Sequence, residues 1–291
     1  MRLNRILTRL LGVAGLFLAL HSCLLSAAPA KLNSVRNVYY GADENHNLQS
    51  LDIYWRSHDQ PLPVIIYVHG GEWAFGDKTD IHHQPSFFTA HGLVFISMNY
   101  RLRWAHSVYD QLEDIVSVFQ WVTRQSHKYA MDPKRICLMG NGAGALLVSL
   151  VATNPGLLSS EGVSPGNIRC VVSIDNAAFD LGALMKGPGN FPEKRRYRLI
   201  FGTKPSILAD YSPITHIRAG RPVPPFAIVY RASDKLQTQQ SLQFARALQG
   251  AGNKVVLIPD RIRPGAAMNE EIGLAEDGPT RTLLVFIRAS I

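Results

Sequence analysis

The chain has 291 residues, 46% of them hydrophobic and 18% charged, enough to bury one large core and, by length alone, to make one or two domains. Its formal charge of +8 falls to +5 once residues 1–30, with three arginines and no acid, are set aside. That balance, with no block of five or six like charges, gives no electrostatic footprint of a nucleic-acid binder, and no Cys-x-x-Cys or Cys/His spacing marks a zinc site.

At the start, Arg2, Arg5 and Arg9 precede an apolar run from Leu10 to Leu20, and Ala28-Pro29-Ala30 offers a small-x-small cleavage site. This is the pattern of a secretory signal peptide, so residues 1–30 are expected to be removed, and residues 31–291 to form a single exported domain, periplasmic or secreted. A retained anchor is the alternative, although the run is short for a span. Leu20-His21-Ser22-Cys23 matches a lipobox poorly. Membrane contact is expected only through this segment.

Val38-Tyr39-Tyr40-Gly41 and Leu51-Asp52-Ile53-Tyr54-Trp55 read as an antiparallel pair. Apolar runs at 63–68 and 93–98 read as buried strands, the first ending in His69-Gly70-Gly71-Glu72-Trp73 and the second in Asn99-Tyr100-Arg101-Leu102. Ile115, Val116, Phe119, Trp121 and Val122 recur at helical spacing within 109–129. Further strands are expected at 136–139, 168–174, 226–230 and 254–258, and helices at 145–152, 239–248 and 280–288. Strands alternating with helices imply a mostly parallel sheet with helices on both faces, an α/β protein. Cys137 and Cys170 lie inside two of the strand runs and are expected to be buried thiols, with export leaving a disulfide open. Lys194-Arg195-Arg196 with Arg198, the densest basic cluster, reads as a solvated loop.

The organising stretch is Gly140-Asn141-Gly142-Ala143-Gly144, between a short apolar run and a buried helix. Strand, tight glycine turn and helix make the shape of a nucleophile elbow, whose tip normally carries a serine. Here the tip is Gly142. Glycine has no atom with which to attack a carbonyl, and it relieves the strain that any side chain bears at such a tip. A Gly-x-Gly-x-Gly run alone would equally suit a phosphate-binding turn.

The chain from about Val38 to Arg288 resembles an α/β-hydrolase of the esterase/lipase kind, in the group with a His-Gly-Gly-x-Trp loop. The residues that carry the resemblance are His69-Gly70-Gly71-Glu72-Trp73, Gly76-Asp77-Lys78, Asn99-Tyr100-Arg101-Leu102, Asp114, Asp132-Pro133-Lys134-Arg135-Ile136, the elbow, Ser212-Pro213 and Ser233-Asp234. It implies a serine at the elbow, an acid at Asp234 and a histidine in the loop 259–268. The last histidine is His216, so that loop has no imidazole, and Gly265, Ala266 or Ala267 stands at the expected place. Asp234 is then a vestigial acid or simply a helix cap.

The resemblance also implies an oxyanion hole formed by the loop Gly70, Gly71 and Glu72 and by the backbone N–H of Ala143, with Glu72 pointing either inward or to solvent. His69 is read as shaping that loop. Asp77, Asp80, His82 and His83 match no metal-ligand spacing and read as a solvated loop near the pocket rim. Ser173 and Ser233 lack a following histidine, and Asp175 with Asn176 falls where pocket-lining residues are expected.

No cofactor is expected. The reading is an exported esterase-like scaffold without serine turnover, a pseudo-hydrolase binding a small acyl or carboxylate ligand or a protein partner. The alternative is an active carboxylic-ester hydrolase using displaced groups such as His82, His83 or His106.

Overall fold

In the computed structural model, residues 30–41, 47–187, 191–261, 263 and 265–291 are described; the expected signal peptide, save Ala30, lies outside them. Among the described residues eight strands form one sheet: β1 (Leu32–Tyr39), β2 (Ser50–Arg56), β3 (Leu62–Val68), β4 (Val94–Met98), β5 (Met131–Asn141), β6 (Ile168–Ile174), β7 (Phe226–Arg231) and β8 (Val255–Asp260). Their order is β1-β2-β4-β3-β5-β6-β7-β8. Pairings from β4 through β8 are parallel, and β1 and β2 are antiparallel additions at one edge.

The period-two rule sets the layers. Val64, Ile66 and Val68 of β3 join one apolar cluster, with residues of the helices Val108–Gln125, Ala143–Thr153 and Lys235–Gly250. Ile65 and Tyr67 join the other, with Phe88 of the helix Gln84–Ala90, Met268 of Gly265–Glu271, and Leu283, Phe286 and Ile287 of Gly278–Ser290. Helices therefore cover both faces, as the alternating pattern implied. Leu32–Ile291 form one unit.

Four expectations change. β1 begins at Leu32 rather than near Val38, because as an edge strand it is largely exposed and its sequence need not alternate. Cys137 and Cys170 are not thiols: they are register neighbours on β5 and β6, their Cα atoms 4.7 Å apart, and are joined as a disulfide. The basic cluster 194–198 is helical, part of Phe191–Phe201, and not a loop. Asp77, Asp80, His82 and His83 lie off the rim of the elbow pocket, with His82 bonded to Asp80 at 3.0 Å and facing a separate cavity beside Arg36 and Tyr54.

Several of the sequence motifs prove to be staples. Lys78 is buried, its Nζ 2.9 Å from Asp52, while its N–H donates to Asn99 Oδ1. Arg101 reaches Asp114 through Nε at 2.9 Å and its backbone N–H at 2.7 Å, tying the end of β4 to the helix Val108–Gln125. Burial pushes the Asp114 carboxyl above the usual range, against the pull of Arg101.

Candidate functional site

The site forms at the C-terminal ends of the parallel strands, where the elbow and the loop after β3 meet. Gly142 stands between β5 and the helix Ala143–Thr153 with φ +53° and ψ −112°, a conformation costly for a residue with a Cβ. Its N–H donates to the Ile174 carbonyl at 2.8 Å. A Cβ built on Gly142 would meet nothing nearer than Gly70 Cα at 3.9 Å, so the space beside the apex is open. Gly144 is the opposite case: a Cβ there would lie 2.1 Å from the Val68 carbonyl, because helix and strand touch.

Around the apex is a pocket of about 420 Å³ lined by fourteen residues, among them Gly70, Gly71, Glu72 and Trp73 from the loop after β3, and Asn141, Gly142 and Ala143 from the elbow. Asp175, Asn176 and Ala177 from the end of β6, Arg231 and Gln237, and Arg196 and Tyr197 complete it. Among the described residues the lining holds no serine, threonine, cysteine, histidine or lysine. His82, His83 and His106, the histidines weighed as displaced bases, are thus outside it.

The loop expected to form an oxyanion hole is built on a tight turn. Ala74 and Phe75 both donate backbone N–H groups to the Gly71 carbonyl, and Glu72 and Trp73 hold positive φ. Among the described residues the N–H groups of Gly71, Glu72 and Ala143 have no backbone acceptor. The loop is backed by His69, which is buried, stacked on Tyr100 at 4.3 Å between ring centres, with Nδ1 2.6 Å from the Gly70 carbonyl. Burial holds its pKa below the ordinary value, so it stands as a neutral ring beneath the pocket. Glu72 points to solvent and pairs with Arg196 of the helix Phe191–Phe201; the basic cluster thus supplies one wall residue that the sequence reading did not foresee.

Asp234 does not line the pocket. It caps the helix Lys235–Gly250, accepting from Gln237 N–H at 3.0 Å, and lies 3.3 Å from Arg231. Arg231 also meets Asp175 at 2.8 Å, and Gln237 Nε2 donates to the same carboxylate. Asp175 and Arg231, not Asp234, are the charged pair presented to the pocket beside the elbow. Arg231 was missed in the sequence because a lone arginine after a strand carries no motif. Ser173 is fully buried and Ser233 is not a lining residue.

In the loop after β8, whose sequence contains no histidine, Arg263 reaches Asp260 at 2.5 Å, Asp277 at 3.1 Å and Glu271 at 3.1 Å. Two residues of this loop, Ile262 and Pro264, and the surroundings of Gly265 and Ala266 lie outside the described structure. No group of three or more His, Cys, Asp or Glu among the described residues is arranged to hold a metal ion.

The model of the family described as BD-FAE matches residues 51–248. A probable isoprenylcysteine alpha-carbonyl methylesterase of Arabidopsis thaliana is 28% identical over 240 residues, covering 77% of this chain and 49% of that protein. The probable carboxylic ester hydrolase LipM of Mycobacterium tuberculosis is 27% identical over 236 residues, 76% of this chain and 53% of its own length. The chain spans about half the length of these curated relatives. Among solved structures, esterase B from Lactobacillus rhamnosis superposes with a TM-score of 0.71 at 19% identity, over 99% of this chain and 93% of that one. A truncated carbohydrate esterase from gut microbiota gives 0.74 at 19%, over 91% and 98%. At such identities the likeness speaks for the α/β-hydrolase fold alone.

Proposed function

The chain belongs to the BD-FAE family of esterase-like α/β-hydrolases, and from that premise we propose that it is an exported member that has given up serine-hydrolase turnover and keeps the pocket for binding. The observation that carries this reading is Gly142 at the apex of a fully formed elbow, in the backbone conformation of a nucleophile but without an attacking atom. Two further facts support it. No histidine follows His216, and Asp234 is engaged as a helix cap and with Arg231. Export is supported by the charged and apolar pattern of residues 1–30 and by the Cys137–Cys170 disulfide, a bond that persists in oxidising compartments.

The test uses the protein recovered from its producing cell, whose N-terminus is expected at or beside Lys31. It should hydrolyse short-chain nitrophenyl esters no faster than a denatured control and take up no fluorophosphonate probe. Turnover that co-purifies with the protein through two orthogonal columns, or stoichiometric probe labelling, would sink the reading.

A further inference from the structure

Asp175 follows β6 and stands beside the apex of the elbow, because the residue before it, Ile174, accepts the Gly142 N–H at 2.8 Å. Its φ is +56°, a left-handed backbone that few residues other than glycine adopt and that aspartate tolerates. The side chain is held by two donors: Oδ1 accepts from Arg231 Nε at 2.8 Å and from Gln237 Nε2. Gln237 is fully buried, and its Oε1 accepts from the Arg231 backbone N–H at 2.6 Å, so both ends of its amide are committed and the carboxylate is fixed. Among the described residues Asp175 Oδ2 accepts no hydrogen bond, and it is not buried. An ion pair as exposed as that of Asp175 with Arg231 adds little stability, and the left-handed backbone takes some away. What the arrangement secures is one anionic oxygen in a fixed place on the pocket lining.

The rest of the lining narrows what can meet that oxygen. Glu72 and Asp175 stand against Arg196 and Arg231, so the lining carries no net formal charge. A ligand anion would face the two carboxylates. A ligand cation would face two guanidinium groups and the positive end of the uncapped helix Ala143–Thr153. Arg196 holds Glu72 through Nη1, while its Nε is buried and has no partner, so the wall made by the helix Phe191–Phe201 keeps an unused donor. A hydroxyl group donates one hydrogen bond and accepts others, and so serves a carboxylate or a guanidinium without bringing a charge.

We propose that Asp175 is the anchor for a ligand hydroxyl: the pocket takes a neutral alcohol whose O–H donates to Asp175 Oδ2 beside Gly142. Gln237 and the Arg231 guanidinium are positioning residues, fixing the carboxylate that the ligand meets. The opening beside Gly142, where the nearest atom to an ideal Cβ is Gly70 Cα at 3.9 Å, gives the body of the alcohol its room. The proposal deepens the reading that the pocket is kept for binding, and rests on it.

The experiment is an NMR titration of the nitrogen-labelled protein recovered from its producing cell. The probes share one small ring: cyclopentanol, cyclopentyl methyl ether, cyclopentylamine and sodium cyclopentanecarboxylate. Cyclopentanol is expected to shift the Gln237 side-chain amide and to bind at least about tenfold tighter than the other three, because a hydrogen bond to a charged acceptor is among the strong ones. Asp175→Asn keeps an oxygen for Arg231 and Gln237, suits the left-handed backbone, and turns the open acceptor into a donor. In that variant, with folding checked by its melt, the preference for alcohol over ether should fall to about twofold or less. The wild-type ratio is a test that needs no variant. An ether, amine or acid that binds as tightly as the alcohol, an alcohol that does not bind or leaves Gln237 unshifted, or a preference that survives Asp175→Asn overturns the assignment. Hydrolysis of a nitrophenyl ester by the same samples overturns the loss of turnover instead, and the ratio of alcohol to ether is read independently of it.

Discussion

On the proposed reading, the elbow and the loop after β8 depart from a working triad in different ways. At the elbow the backbone is complete and a single side chain is missing: Gly142 holds φ +53°, the space beside it is open, and helix and strand still touch at Gly144. After β8 the described part of the loop is held by anchoring contacts. Arg263 is gripped by Asp260, Asp277 and Glu271, and Asn269 of the following helix accepts from Tyr67 Oη at 2.7 Å and from Gln84 at 3.0 Å. One substitution would return a hydroxyl to the elbow, whereas a histidine placed after β8 would have to fit around an anchor that holds the C-terminal helices.

The largest effect that tests this contrast is Arg263→Met. The side chains of Asp260 and Asp277 are 3% and 9% exposed, and the substitution removes the guanidinium that both face. Breaking such a pair from one side costs about 3–5 kcal/mol, which a urea melt would read as a lower midpoint at unchanged slope. A loss below about 1 kcal/mol, the range of a surface ion pair, would show that the loop is not fixed by structure and would erase the difference between the two regions.

Next in size is a pair of alanine substitutions inside the elbow. Gly144→Ala drives a Cβ to 2.1 Å from the Val68 carbonyl, a backbone atom of a central strand, and overpacking of this kind costs about 1–3 kcal/mol or more. Gly142→Ala meets only Gly70 Cα at 3.9 Å, an ordinary contact, and bears the left-handed backbone, about 1–2 kcal/mol. Thermal melts of the two variants should rank them in that order. The reverse ranking would mean that the space at the apex is not open.

The fold was legible in the sequence where burial forces a pattern. The runs of β3 to β8, buried wholly or on one face, and the helix Val108–Gln125, with its apolar stripe and its Ser107–Asp110 capping box, stand close to where the chain's own periodicity puts them. β1 was not legible beyond its end, because an exposed edge strand carries no apolar alternation. The helix Phe191–Phe201 was hidden for a related reason: its charges dominate the local sequence, while its contribution to the site comes through Tyr197 and Phe201, edge-on to Trp73 more than a hundred residues away. At the site, Gly70, Gly71, Glu72, Gly142 and Ala143 could be read because backbone geometry ties motif to position. Arg196, Arg231 and Gln237 could not, since their roles exist only after three strand ends have been brought together. The disulfide belongs to the same class. Cys137 and Cys170 are 33 residues apart, and only the β5–β6 register makes them neighbours.

The smallest expected effect concerns Asp234, where the family resemblance puts the acid. It caps the helix Lys235–Gly250 and shares Arg231 with Asp175, both partners of the Asp234–Arg231 pair being partly exposed. If capping is its role, Asp234→Ala should cost about 1 kcal/mol, and Asp234→Asn a few tenths, because asparagine caps as well as aspartate does. The lost ion pair adds little at this exposure. Neither variant should alter what the pocket binds, since Asp234 is not on its lining. A residue still acting as a catalytic acid would behave the other way: Asp234→Asn would leave the melt almost unchanged while abolishing whatever ester turnover the wild-type protein shows. The two substitutions, measured by urea melt and ester assay side by side, therefore separate a cap that happens to be an aspartate from a catalytic acid that happens to cap.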